Sequence, residues 1–209
     1  MKQLLIVVCF AIGMACFTGS TANAQFYVGA HGGANFVPDS DIDGSGVDAE
    51  AKLDAGFAVG GVLGYRFDLQ QGVSVDVEGE FAYRQNDIDE ISAVGFPVNA
   101  GGEIISYAWM ANAWLNWQIG DSGFVPYVGG GFGGVHIDIK DAEVAGIALG
   151  NESDFVIGGQ LGGGLAYQFD EHVAVSLDYR FLITEDARFQ DLDVAYQTHA
   201  VMIGLKYLF

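Results

Sequence analysis

The last thirteen residues of this chain leave it few folds to choose from. In Gln197-Thr-His-Ala-Val-Met-Ile-Gly-Leu-Lys-Tyr-Leu-Phe209, one parity holds Val201, Ile203, Leu205, Tyr207 and Phe209. The other holds Thr198, Ala200, Met202, Gly204 and Lys206. A strand alternates its side chains between two faces, so this is one apolar face and one small or polar face. A soluble domain has little use for a complete apolar strand face that runs to its final residue. Such a strand fits a closed barrel whose outside meets lipid, since only a closed sheet leaves no backbone edge unpaired in hydrocarbon.

The other end of the chain predicts export. Lys2 precedes the apolar run Leu4 to Phe17, and Ala22-Asn23-Ala24 has the A-x-A form of a processing site. Residues 1–24 therefore read as a signal peptide and 25–209 as the working domain. Attachment of lipid at Cys16 is the competing reading, but Gly13 stands where an aliphatic residue is usual. Cys9 and Cys16 are the only cysteines, so nothing after Ala24 offers a disulfide, and closure has to come from strand pairing.

Between the two ends the same alternation recurs, giving eight segments joined by three short turns and four longer loops. The third is the clearest: Val73, Val75, Val77, Phe81 and Tyr83 alternate with Ser74, Asp76, Glu78, Glu80 and Arg84. The second (about 53–67), fourth (about 103–119), sixth (about 153–169) and seventh (from 173) follow suit, with aromatic residues near their ends. The fifth segment is rich in glycine; Tyr127, Val135, Ile137 and Ile139 are expected to face outward, and Phe132, His136, Asp138 and Lys140 inward. No stretch after Ala24 is long and apolar enough for a spanning helix. The fold expected is all-β: an eight-stranded antiparallel up-and-down transmembrane barrel, with both termini on the short-turn, periplasmic side.

Charge narrows the partners. The chain carries 27 acidic and 8 basic residues, and Lys2 is the only charge before Gln25. A chain that starts there has seven basic residues, for a balance of −20. That excludes nucleic acid as a direct partner, because phosphate contacts need Lys and Arg. It also repels anionic lipopolysaccharide unless divalent cations intervene.

Three groups of residues are candidates for function. Arg66, Asp76, Glu78, Glu80, Arg84, Asp178, Arg180 and Lys206 share the inward parity and predict a charge-paired lumen. This is either a packed polar core or a gated ion path. Asp39, Asp41, Asp43, Ser45 and Glu50 match the ligand spacing of a calcium loop, with Gly44 at its turn position. Strands flank that loop, however, and Gly46 stands where an aliphatic residue is usual, so a solvated acidic loop is the competing reading. Lipid-directed catalysis would need a His, Ser and acid together on the lipid side. His199 has no serine two residues away, His31 and His136 are read as inward and His172 lies in a turn, so no enzyme is expected.

Taken together, the Ala22-Asn-Ala24 leader, the eight alternating segments, Pro126-Tyr-Val-Gly-Gly-Gly131 and Leu205-Lys-Tyr-Leu-Phe209 give the chain its likeness. It resembles the OmpA/OmpX-like and opacity-protein superfamily of small outer-membrane barrels, which includes porin-family surface antigens. The resemblance implies a Gram-negative outer membrane, contact with its lipid and lipopolysaccharide, and no cofactor. It implies that Leu205, Tyr207 and Phe209 form the signal read by the barrel-assembly machinery. It implies a structural or surface-interaction role toward ligands of host or environment, with a narrow porin-like channel as the alternative. A soluble lipocalin-like barrel is a third reading, and it requires the two faces to be reversed.

Overall fold

The computed structural model describes residues 24–38, 40–44, 47–69, 72–93, 96–144, 147–189 and 192–209. Within these it describes only the backbone of 40–53, 88–100, 142–150, 152 and 186–195. The leader expected over 1–24 thus falls, except for Ala24, outside the described residues.

Among the described residues ten strands follow one another: β1 (Ala24–Phe36), β2 (Ser40–Gly44), β3 (Val47–Leu53), β4 (Gly56–Asp68), β5 (Val73–Ala93), β6 (Phe96–Trp117), β7 (Phe124–Val144), β8 (Ile147–Gln168), β9 (Val173–Phe189) and β10 (Leu192–Leu208). Eight of them form the antiparallel wall, in the ring order β1-β4-β5-β6-β7-β8-β9-β10, with β10 paired back to β1. The β5–β6 ladder, from Val73↔Trp117 upward, completes the closure. Among the described residues no helix is long and apolar enough to cross a membrane, so any crossing is made by strands.

The expected first loop is not a loop. It is a hairpin, β2 on β3, and β3 adds to the upper part of β5 from Ala49↔Ala93 down to Leu53↔Ile88. The other long loops are likewise continued strands: β5 to β8 run 21 or 22 residues each, roughly twice the 9–11 needed to span a membrane. Sequence reading stopped these segments where their apolar alternation stopped. Alternation records one lipid-facing side and vanishes once both faces meet water, although the ladder goes on.

Two aromatic girdles bound the lipid-facing band. Near the short turns, Phe209 and Tyr65 flank Phe26 with ring centroids at 5.6 and 5.3 Å, and Phe124, Tyr167 and Phe169 stack at 5.0 Å. Toward the other end lie Phe57, Tyr83 and Tyr107, at 5.8 and 5.4 Å. From Phe209 to His199, which sits against Phe181 in the upper girdle, is ten steps of a tilted strand, about 25 Å of height. At the lower end, Asp170 Oδ1 accepts the backbone N–H groups of His172 and Val173, which hold its carboxyl below the usual range.

β7 has the opposite register to the one expected from sequence. Val135 and Ile137 are buried and inward, as is Tyr127, whereas Phe132 is 52% exposed on the lipid side. His136 and Asp138 consequently lie on the outward parity, where His136 Nε2 stands 3.0 Å from Asp138 Oδ1. The expectation places the polar residues of this strand inward, as charges within the other strands are. That rule holds only inside the membrane band, and His136 and Asp138 stand at its upper rim.

The β7 glycines allow close approach of its neighbour β6. A Cβ on Gly131 would lie 2.1 Å from Asn112 Oδ1 and 2.2 Å from the Ala111 carbonyl oxygen, while one on Gly79 meets nothing within 4 Å. Gly131→Leu is therefore expected to abolish the compact, fast-migrating form on unheated gels, and Gly79→Ala to leave it intact. Electrophoresis of heated and unheated refolded protein checks both.

Candidate functional site: the lumen and the outer crown

The lumen is built in layers along β5. Lowest, Arg66 Nε and Nη2 donate to the two oxygens of Asp76 at 2.8 and 3.0 Å. From β10, Lys206 Nζ reaches Asp76 Oδ2 at 3.3 Å and Glu78 Oε2 at 3.5 Å, over the ring of Tyr27 at 4.6 Å. Next, Glu78 accepts from Tyr27 OH at 2.8 Å and from Trp114 Nε1 at 2.7 Å. One step higher, Glu80 Oε1 pairs with Arg180 Nη1 at 2.7 Å and His31 Nε2 at 3.2 Å. Its Oε2 accepts Asn112 Nδ2 and Gln160 Nε2, both at 2.6 Å. The Arg180 guanidinium lies 5.2 Å over the Trp114 ring. Charge-assisted bonds of this kind are the strong ones, and here they draw on side chains of seven strands.

Above Glu80 the lumen changes character. Ala108, Met110, Val135, Ile137, Val156, Leu182 and Tyr196 form an apolar cluster on the β6–β10 side. On the β5 side stands Arg84, 1% exposed, whose Nε and Nη1 find no hydrogen-bond acceptor among the described residues. The roof is polar again: Asn35 Nδ2 donates to Asn86 Oδ1 at 2.6 Å, and the Ser106 and Tyr196 hydroxyls are 3.3 Å apart. A cavity of about 10 Å³ beside His31, Ser176, Asp178 and Arg180 has room for roughly one water.

Seven of the eight charges expected in the lumen are thus accounted for in its lower half, with Asp178 accepting from Ser176 Oγ at 3.1 Å. Arg66 pairs with Asp76 on the neighbouring strand, and Lys206 of β10 reaches across to Asp76 and Glu78 of β5. Sequence reading missed the neutral half of the network, Tyr27, Gln160, Asn35 and Tyr196. Inward parity was the signal available for them.

The calcium expectation fares differently. Asp39 and Ser45 lie outside the described residues, and Asp41, Asp43 and Glu50 are described in backbone alone, with Asp41 opposite Glu50 in the β2–β3 hairpin. Among the described residues no three His, Cys, Asp or Glu side chains are grouped to hold a metal ion. His199, outward at the upper girdle, is hydrogen-bonded to Tyr179 OH through Nδ1.

Above the girdle the strands form a crown. By sequence, 37–56, 85–106, 137–154 and 184–196 carry nineteen acidic residues against Lys52, Lys140 and Arg188. The lumen is balanced, with Asp76, Glu78, Glu80 and Asp178 facing Arg66, Arg84, Arg180 and Lys206. Nearly all the excess negative charge is therefore at the end of the barrel away from the short turns.

An eight-stranded closed barrel, apolar outside and polar inside, with two aromatic girdles, is an integral outer-membrane protein of Gram-negative type. The chain belongs to the family described as outer membrane protein beta-barrel domain, whose model matches residues 5–209. No curated protein matches it in sequence. Neisserial surface protein A is similar in structure, at 16% identity and a TM-score of 0.50, over 90% of this chain and 99% of that one. OprG of Pseudomonas aeruginosa gives 16% and 0.50, over 90% and 97%. Ail, the attachment invasion locus protein of Yersinia pestis, gives 16% and 0.46, over 91% and 100%. These likenesses concern the fold.

Removing one partner of a buried ion pair costs about 3–5 kcal/mol, because the other charge is left stranded. Arg180→Met is expected to destabilise the barrel by that amount in urea unfolding from micelles. The Glu80→Met/Arg180→Met double variant is expected to recover most of the loss.

Proposed function

We propose that this barrel is a closed scaffold that displays an acidic, β-structured surface to host or environment, and is not a conduit. The observation that carries the reading is the filled lumen. Trp114 and the Glu78–Glu80 network occupy its width, and the cavity beside them has room for roughly one water. A hydrated ion has no path through such packing, so the charges serve to fix the arrangement of side chains. The surface left for recognition is the crown, and its charge favours cationic partners.

The orientation belongs to the same proposal. The short turns and both termini share one end, which we assign to the periplasm, so the crown faces outward. The leader 1–24 is removed on export, and Leu205, Tyr207 and Phe209, exposed on the lipid side of β10, serve the assembly machinery. Lipopolysaccharide meets the barrel through its acyl chains, because the carboxylates of the crown repel its phosphates. No catalytic role is assigned to any residue.

Two measurements bear on this reading. In planar bilayers the refolded protein is expected to show no reproducible single-channel steps; steps abolished by Arg66→Met or Arg180→Met would establish the porin-like alternative and sink the plug. Calcium binding at Asp39, Asp41, Asp43, Ser45 and Glu50 is part of the proposal. Calorimetric titration with calcium should give heat that Asp41→Asn removes, and the absence of any heat rules the site out.

A further inference from the structure

The hydrogen-bonded wall is continuous through the membrane band but not above it. β8 pairs with β9 from Gln168↔Ala174 up to Gly158↔Thr184 and no further among the described residues. Its ladder with β7 runs on to Val144↔Ile147, and that of β9 with β10 runs on to Phe189↔Leu192. The β10–β1 ladder stops at Phe36↔His199. Above the girdle, 185–189 and 192–195 therefore make a two-stranded hairpin bonded to no other strand among the described residues. Across a seam from it runs the backbone edge of β8 from Ile147 to Ile157.

The root of this hairpin is fixed. Tyr196 keeps the inward parity of Thr198 and Ala200, and its hydroxyl meets that of Ser106, while the register with β9 shifts between Ala195 and Gln197. Thr184 Oγ1 accepts the Tyr196 N–H at 3.2 Å and donates to its carbonyl at 3.3 Å. The extra residue lies on β9, and regular pairing resumes above it as far as Phe189↔Leu192. The hairpin thus stands on a rigid base, although an isolated two-stranded ribbon is marginal in water and a free strand edge is a template for another strand.

We propose that the seam between β8 and β9 takes up an extended, Lys- or Arg-rich segment of another protein as an added strand. This rests on the reading of the crown as a surface for cationic partners. The inserted strand runs parallel to one edge and antiparallel to the other, because β8 and β9 are antiparallel. The edges set its length at five to eleven residues, from 185–189 on one side to 147–157 on the other. Charge sets its chemistry: the crown holds nineteen acidic residues against three basic. A second copy of this chain brings the same excess of negative charge and is disfavoured for that reason. β2, the terminal strand of the sheet beside β3, also has an unpaired edge among the described residues but is only five residues long, so the eleven residues 147–157 of β8 offer the longer template.

Amide hydrogen exchange on the refolded full chain in micelles tests this, with a nine-residue alternating Lys–Thr peptide as probe. A second peptide of equal charge, with Pro replacing the central Thr residues, cannot form a ladder. The expected result is at least tenfold slower exchange along both 147–157 and 185–189 with the first peptide and no slowing with the second. Equal binding of the two peptides without protection, or protection of one edge alone, overturns strand insertion and leaves the acidic-surface reading intact. If neither peptide binds, both readings are overturned. Slow exchange along the seam without peptide also overturns the proposal: it means a closed ladder if independent of protein concentration, and a second copy if it grows with concentration.

Discussion

In hydrocarbon no water is available to a backbone N–H or C=O, and the rest of this structure depends on that constraint. Every strand in the lipid band must be paired on both sides, and eight strands meet the demand by joining β10 to β1 and β5 to β6. Closure at eight also sets the radius. The interior of such a barrel is just wide enough for side chains to fill, so whatever points inward becomes a packed core.

This lumen is filled by large rings and charges, and the two depend on each other. Trp114 fits because Gly129, whose Cβ would lie 2.8 Å from its ring, has none. Its indole N–H then helps to satisfy Glu78, and its face lies under Arg180. Glu80 gathers His31 from β1, Asn112 from β6, Gln160 from β8 and Arg180 from β9. Buried ion pairs add little net stability over apolar packing. Here each carboxylate instead limits which neighbours can stand beside it, and so holds strands distant in sequence in one arrangement.

Much of this was legible in the sequence, for the same physical reason that the barrel closes. Where lipid meets one face and the lumen the other, side-chain parity is unambiguous, and β5, β8, β9 and β10 could be read with their faces correct. The faces of β7 are not legible because Gly129 to Gly134 erase the alternation, and the polar residues beyond them have the spacing of a lumenal face. The hairpin β2–β3 and the upper halves of β5 to β8 were invisible because water on both faces leaves no parity to read. Pairing partners across the lumen, such as Lys206 with Asp76, are set by three-dimensional reach, which spacing along the chain does not encode.

Beyond the upper girdle the constraint lapses, and the wall behaves accordingly. Water can satisfy an unpaired edge there, so the β8–β9 and β10–β1 ladders are free to end. The crown and the lumen still share one residue, Tyr196, whose backbone belongs to the hairpin and whose side chain roofs the barrel. Beneath it Met110, Val135, Val156 and Leu182 are packed with almost no exposed surface. A close-packed apolar layer of this kind has no second arrangement to adopt, which separates it from the bistable elements that carry switching. Displacement of the hairpin by a partner therefore ends at the roof, and the charges around Glu80 keep their pairing whether the crown is occupied or not.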